Sequence, residues 1–168
     1  MRIHTGTTKS SLNSLFDGII DVCVIPFKPQ HPDLISIKLF EENFLLIGCP
    51  SSFTETTQAL ALDQFDKSSF LHIPWETPFM EWFKNEIGFT FFPSIEVDDT
   101  TIYMKLLLEQ KMMGFLPEIV ARPYIETNKL RSIKFISSTP IPKRSVYLVY
   151  NKKICNSRSF QALSSLIL

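Results

Sequence analysis

Three short stretches of this sequence have the residue types to hold a small anion. Gly6-Thr7-Thr8 offers backbone amides and two hydroxyls ahead of a helical pattern. His72 to Thr77 follows an apolar, strand-like run and precedes a second helix, and Asp98 to Thr101 stands in the same way before a third. Amides at a helix N-terminus point outward without intrahelical partners and carry partial positive charge, so such places accept carboxylates, phosphates and similar groups. The candidate ligand-binding side chains here are Thr7, Thr8, His72, Trp75, Thr77 and Asp98. Taken singly, plain N-capping outweighs ligand contact for each threonine. Their recurrence at the same end of successive strands favours a ligand, because open α/β sheets bind beyond the carboxyl ends of their strands.

Covalent and metal chemistry lack comparable support. The sequence has no G-x-x-x-x-G-K-[ST] loop, no G-x-G-x-x-G fingerprint and no G-x-S-x-G elbow. His4, His31 and His72 lie far apart, without metal-ligand spacing. Cys23, Cys49 and Cys155 show no short spacing and read as buried free thiols. The adjacent carboxylates Glu41-Glu42 and Asp98-Asp99 fall in an expected turn and at an expected helix start, where acids have structural work. His72 with Glu76 is the one pair close enough in sequence to weigh for acid/base catalysis. The reading is a binding protein, not an enzyme, with no cofactor and no metal.

The elements that would position these residues follow from periodicity. Leu12, Leu15, Phe16 and Ile19 recur at helical spacing, so a helix is expected over about 8–17, capped by Thr7 or Thr8 and ended by Gly18. Val22 to Ile25 is then a short run, apolar on both faces, of the kind found in a parallel sheet covered by helices. Ile35, Ile37 and Leu39 alternate with polar residues, Glu41-Glu42-Asn43 should turn the chain, and Phe44 to Ile47 is a buried strand. Residues 50–58 read as loop. Phe70 to Ile73 is a strand closed by Pro74, followed by a helix with Phe79, Trp82, Phe83 and Ile87 on one face. Ile95 to Val97 is a strand; a helix capped by Asp98, Asp99 or Thr100 then turns Ile102, Tyr103, Leu106, Leu107 and Gln110 inward. Strands at Met113 to Leu116, Leu130 to Phe135 and Val146 to Tyr150 come next, with a short helix opened by Pro117 among them and a last helix carrying Phe160, Leu163 and Leu166. Alternating strands and helices mark an α/β architecture.

Composition narrows the class. The 168 residues are 45% hydrophobic and 20% charged, ordinary values for a soluble globular chain. No apolar run approaches the roughly 20 residues that cross a bilayer, and the first residues lack a signal-peptide core, so a cytoplasmic protein with no membrane partner is expected. Seventeen basic residues balance seventeen acidic ones, which gives no electrostatic draw toward nucleic acid.

Gly6-Thr7, Leu15, Gly18, Ile20-Asp21 and the run Val22 to Ile25 resemble the second strand–helix–strand of the effector-binding domain of LysR-type transcriptional regulators. Pro32-Asp33-Leu34, Leu39, Glu41-Glu42, the run Phe44 to Pro50, Glu96-Val97-Asp98-Asp99, Gly114-Phe115-Leu116-Pro117 and Tyr147 to Tyr150 followed by Phe160 continue it in the family's order. The resemblance implies an α/β, two-lobed fold like that of type 2 periplasmic binding proteins. Two crossover strands, near Gly48 and near Val146, would join a first lobe (1–47 and 149–168) to a second (48–148). It implies a small-molecule effector, usually an anion, in the cleft. Thr7 matches the family's first-lobe hydroxyl and Trp75 to Thr77 its second-lobe contacts, while Pro26 takes a position where some members place a basic contact. Gln110-Lys111-Met112 replaces the glycine pair that usually precedes the Leu-Pro motif.

By the same resemblance, the helix–turn–helix, the linker helix and the domain's first strand and helix do not occur in this sequence. Specific DNA binding is therefore expected only through a domain absent from this chain. The missing strand would lie beside Arg2–Thr5 and Val22–Ile25, and the bare edge left by its absence leads to an expectation of self-association. The competing readings are a solute-binding protein or an enzyme on the same fold, and a non-binding dimerisation module.

Overall fold

The computed structural model describes residues 2–54, 57–64, 66–88, 93 and 95–167. Along them run α1 (Thr8–Phe16), β1 (Val22–Ile25), β2 (Leu34–Glu42), β3 (Phe44–Gly48), β4 (Ala59–Ala61), β5 (Leu71–His72) and α2 (Phe79–Ile87). They are followed by β6 (Ile95–Glu96), α3 (Thr100–Glu109), β7 (Met113–Pro117), α4 (Glu118–Glu126), β8 (Arg131–Ile136), β9 (Arg144–Asn151) and α5 (Arg158–Ile167). The chain forms two compact units, Met1–Glu41 with Ser145–Leu168, and Glu42–Arg144.

The first unit holds a sheet in the order β1-β9-β2. Successive residues of a strand face opposite sides, so β9 serves two cores. Val149 packs with Leu15 of α1, Cys23, Ile25 and Leu34; Leu148 and Tyr150 pack with Phe160 of α5. The expected parallel neighbour of β1 is not formed. Residues 2–7 have no regular structure, and β1 runs antiparallel to β9, from Val22 opposite Tyr150 to Ile25 opposite Tyr147. A strand with one neighbour is covered on fewer sides than its composition suggests, and Val24 is 57% exposed. Helix α1 has close to the expected extent, but its apolar stripe is only partly covered. Phe16 and Ile19 are exposed, while Gly18 does adopt the left-handed conformation expected of a helix stop, at φ 70°. In α5, Leu166 is exposed and Phe160 alone is fully buried.

Glu41 and Glu42 do not turn the chain. Both belong to β2, and the break falls at Asn43. A strand can carry adjacent charges when they point to opposite faces and each finds a partner. Glu41 is exposed and pairs with Lys38, whereas Glu42 is buried and pairs with Arg144.

The second unit is built on the order β4-β8-β3-β7, with β3 antiparallel to both β7 and β8 and β4 parallel to β8. β5 and β6 pair in parallel beside it, and Phe70 bridges Met113. Its core is aromatic. Phe115 meets the rings of Phe70, Phe79, Trp82, Phe83 and Phe135, mostly edge to face, the geometry favoured by ring quadrupoles. Helix α2 buries Phe79, Trp82, Phe83 and Ile87, the stripe expected from the sequence. Helix α3 meets the expectation in part: Tyr103 and Leu107 are buried and Leu106 half-buried as expected, while Met104 is buried as well and Ile102 and Gln110 are exposed. The reason lies at Tyr103, whose hydroxyl lies 3.2 Å from both the Leu71 and the Phe115 carbonyl oxygens. That anchor fixes which face of α3 turns inward.

Candidate functional site

In the first unit the structure places Thr7, Thr8 and Pro26. Thr7 is the N-cap of α1: its Oγ1 accepts from the Ser10 amide at 3.2 Å, and Ser10 Oγ donates to the Thr7 carbonyl at 2.9 Å. A hydroxyl that accepts one bond still has its own proton to donate, and Thr7 is exposed. Thr8 is the first helical residue. No Asp or Glu stands in the first turn of α1, so no side chain of the helix's own first turn neutralises its positive end. Gly6 lets the backbone pass, since a Cβ there would lie 2.7 Å from Ser10 Oγ. Pro26 follows β1 and is half-buried.

In the second unit lie His72, Trp75, Thr77 and Asp98. Parallel pairing of β5 with β6, His72 opposite Glu96, brings the segments leaving the two strands to the same end of the sheet. The Val97 amide donates to the His72 carbonyl at 3.0 Å. His72 itself is 5% exposed and stacked on Phe83 with ring centroids 4.4 Å apart. Burial lowers its pKa from 6.5 to about 4, so the ring is neutral at pH 7. Trp75 is also buried; its Nε1 donates to the Phe115 carbonyl at 3.1 Å. Thr77 is exposed and joined to Pro78 by a cis peptide bond. Asp98 is exposed, and its neighbour Asp99 caps α3, accepting from the Thr101 and Ile102 amides at 2.8 and 2.9 Å.

One arrangement beside these residues was not legible as a site. Arg144 Nη1 donates to Glu42 Oε1 at 2.9 Å, and its guanidinium carbon lies 5.8 Å from the Trp75 ring centroid. The only signal for it was an acidic pair in a stretch expected to turn.

Among the described residues no group of three or more His, Cys, Asp or Glu is placed to hold a metal, and no helix is long and apolar enough to cross a membrane. The thiols differ in environment. Burial pushes Cys23 up to about 11, while Cys49 and Cys155 are half-buried. Alkylation of the native chain near pH 8 should therefore modify Cys49 and Cys155 and spare Cys23, because the thiolate is the reacting form. Peptide mass mapping that finds Cys23 modified as fast as Cys155 would contradict the burial.

Comparison with known proteins follows this geometry. The LysR substrate binding domain family matches residues 1–168. The regulatory domain of MetR from Neisseria meningitidis, a LysR family regulator, superposes with a TM-score of 0.65 at 13% identity, covering 93% of this chain and 72% of that one. The reduced OxyR regulatory domain from Pseudomonas aeruginosa gives a TM-score of 0.69 at 16% identity, over 95% and 78% of the two chains. The sulfate-bound regulatory domain of an OxyR2 mutant from Vibrio vulnificus gives 0.66 at 15%, over 96% and 77%. No curated relative matches the sequence. With the family matched from end to end and its α/β fold reproduced, the chain belongs to the LysR substrate-binding domain family, whose members have a two-lobed, periplasmic-binding-protein-like fold.

Proposed function

We propose that this chain senses a small anionic effector in a cleft between its two units, as the regulatory part of a cytoplasmic LysR-type transcriptional regulator. The observation that carries the reading is the family match over residues 1–168. It supports a regulatory rather than a catalytic role, and we propose that DNA is reached through a helix–turn–helix domain outside this sequence and that the regulator self-associates. The anion is supported by the first-unit helix start. Thr7 keeps a donor proton beside the outward amides of α1, whose first turn contains no acid. The sulfate carried by the Vibrio vulnificus OxyR2 domain is in keeping with that chemistry. In the second unit Trp75 and Thr77, at the exit of β5, are the proposed opposing contacts, and Asp98, at the exit of β6, is proposed to accept from a donor group of the effector, since a carboxylate repels an anion. Pro26 and His72 are proposed as wall residues, since neither offers a charge at pH 7.

The test is calorimetric titration of the purified chain with a panel of small inorganic and carboxylate anions. At least one should bind with measurable heat and raise the melting temperature. Replacing Thr7 by valine removes both a cap and the donor. Stability should fall by about 1 kcal/mol, and affinity for the anion by on the order of 1 kcal/mol or more. Thr7→Ser should restore both. Affinity unchanged in the valine variant would remove Thr7 from the site, and silence across the whole panel would overturn the anion-sensing reading.

A further inference from the structure

We propose that Arg144 is the cationic contact of the second unit for the effector, its guanidinium taking an oxyanion (a carboxylate, sulfate or phosphate group) side-on through Nε and Nη2. This rests on the reading above, in which Trp75 and Thr77 face the effector.

None of the contacts proposed above carries a positive charge. The threonines and Trp75 are neutral, burial keeps His72 unprotonated at pH 7, and Asp98 is negative. Amides and hydroxyls can hold an anion, yet a hydrogen bond from an ionised donor is roughly twice as strong. Arg144 stands where that charge is missing. Its guanidinium carbon lies 5.8 Å from the Trp75 ring centroid, and Trp75 is itself fixed, its Nε1 donating to the Phe115 carbonyl at 3.1 Å. All three residues belong to the second unit.

The donors of Arg144 are unevenly spent. Nη1 donates to Glu42 Oε1 at 2.9 Å, whereas Nε is buried without a hydrogen-bond partner. A donor left unpaired inside a protein is costly, and native structures keep few of them. In a guanidinium, Nε and one Nη lie side by side and match the two oxygens of a carboxylate or of a tetrahedral oxyanion. The side chain is 22% exposed, so rotation about its outer torsions turns that edge to solvent.

Glu42 has a different part. It is 5% exposed, and its carboxylate is already divided, with Oε1 on Arg144 and Oε2 on the Ile119 amide at 2.9 Å. A planar group held at Nη1 has its orientation set, which makes Glu42 the positioning residue for the unspent edge. Its charge also opposes the incoming anion, so its removal acts in the opposite sense to removal of Arg144.

The experiment titrates the full chain with acetate, sulfate and the calorimetric anion panel, against chloride at matched ionic strength. NMR follows the arginine Nε–Hε resonances, and the one lost in Arg144→Lys identifies Arg144. That resonance is expected to shift saturably with acetate or sulfate and to stay in place with chloride. Arg144→Lys keeps the charge without the planar edge, and binding should weaken by about tenfold or more, the scale of a hydrogen bond to a charged group. Glu42→Gln keeps an acceptor and loses the charge, so binding should strengthen by about threefold or more. A purely structural ion pair would give weaker binding there, which keeps the proposal testable if the lysine variant does not fold. Arg122→Met removes an equal charge from the exposed pair with Glu118 and should leave affinity unchanged. Binding that persists in Arg144→Lys, with the Arg144 resonance of the parent unmoved, would overturn this contact and leave the anion-sensing reading standing. Silence toward every anion would overturn both.

Discussion

Gly114→Ala is expected to destabilise the second unit by about 3 kcal/mol or more, at the upper end of what overpacking a core costs. Gly114 sits within β7, where a Cβ would lie 2.0 Å from the Tyr103 hydroxyl and 2.3 Å from the Leu71 carbonyl oxygen. The first clash falls on the side chain that anchors α3; the second falls on backbone of β5. Neither can yield cheaply, because Tyr103 and Leu71 are both fully buried. The substitution must push α3 away from the sheet and so break the Tyr103 contacts to the Leu71 and Phe115 carbonyls. Both tryptophans of the chain, Trp75 and Trp82, belong to this unit, so their fluorescence in a urea titration reports the loss. Tyr103→Phe alone should cost about 1 kcal/mol, the worth of a buried hydrogen bond. Adding it to Gly114→Ala should cost less than that again, because the phenyl ring relieves the nearer clash. An alanine variant within about 0.5 kcal/mol of the parent would mean that the close approach of α3 to β7 is wrong.

The same contact shows why parts of the fold could not be read ahead of the structure. Helix α2 was legible because four large apolar residues fall on one stripe and nothing competes with them. Helix α3 was legible only in part, because it has apolar residues on several faces and its packing also depends on one hydroxyl that lies 3.2 Å from two carbonyl oxygens outside the helix. Glu42 failed for a related reason. A carboxylate in a strand looks like a turn until the arginine a hundred positions on is known, and that pairing exists only in three dimensions. The parallel partner of β1 was inferred from composition, yet composition says how apolar a strand is and not which neighbour covers it. At the candidate site the sequence marked the helix starts correctly at Thr7 and Asp99, since capping is local chemistry. It had no means of showing that His72 and Trp75 would be buried among aromatic rings, because that follows from where β5 packs.

The burial of His72 leads to an expected acid sensitivity with a defined window. In the unfolded chain the imidazole titrates near 6.5; in the folded chain burial holds it at about 4. The folded state therefore binds fewer protons than the unfolded state between these values, and stability must fall as pH falls. The contribution is complete above pH 6.5, is lost progressively on acidification and levels off below about pH 4. The two values bound the loss at about 3 kcal/mol, at 1.36 kcal/mol for each unit of difference. Carboxylates act in the same direction lower down. Hydrogen bonds from Ser138 and Thr139 hold Glu86 below its ordinary 4.5, Arg122 and Asn43 do the same to Glu118, and Ser68 to Asp66. These exposed groups begin to matter only near and below their ordinary values, which leaves the interval from pH 6.5 to about 5 to His72. Urea midpoints measured across that interval should drop in the parent chain and stay nearly level in His72→Phe, which keeps the stack on Phe83 and removes the proton site. Equal slopes in the two chains, or a parent curve flat between pH 7 and 5, would show that His72 is solvated and free to take up its proton in the folded state.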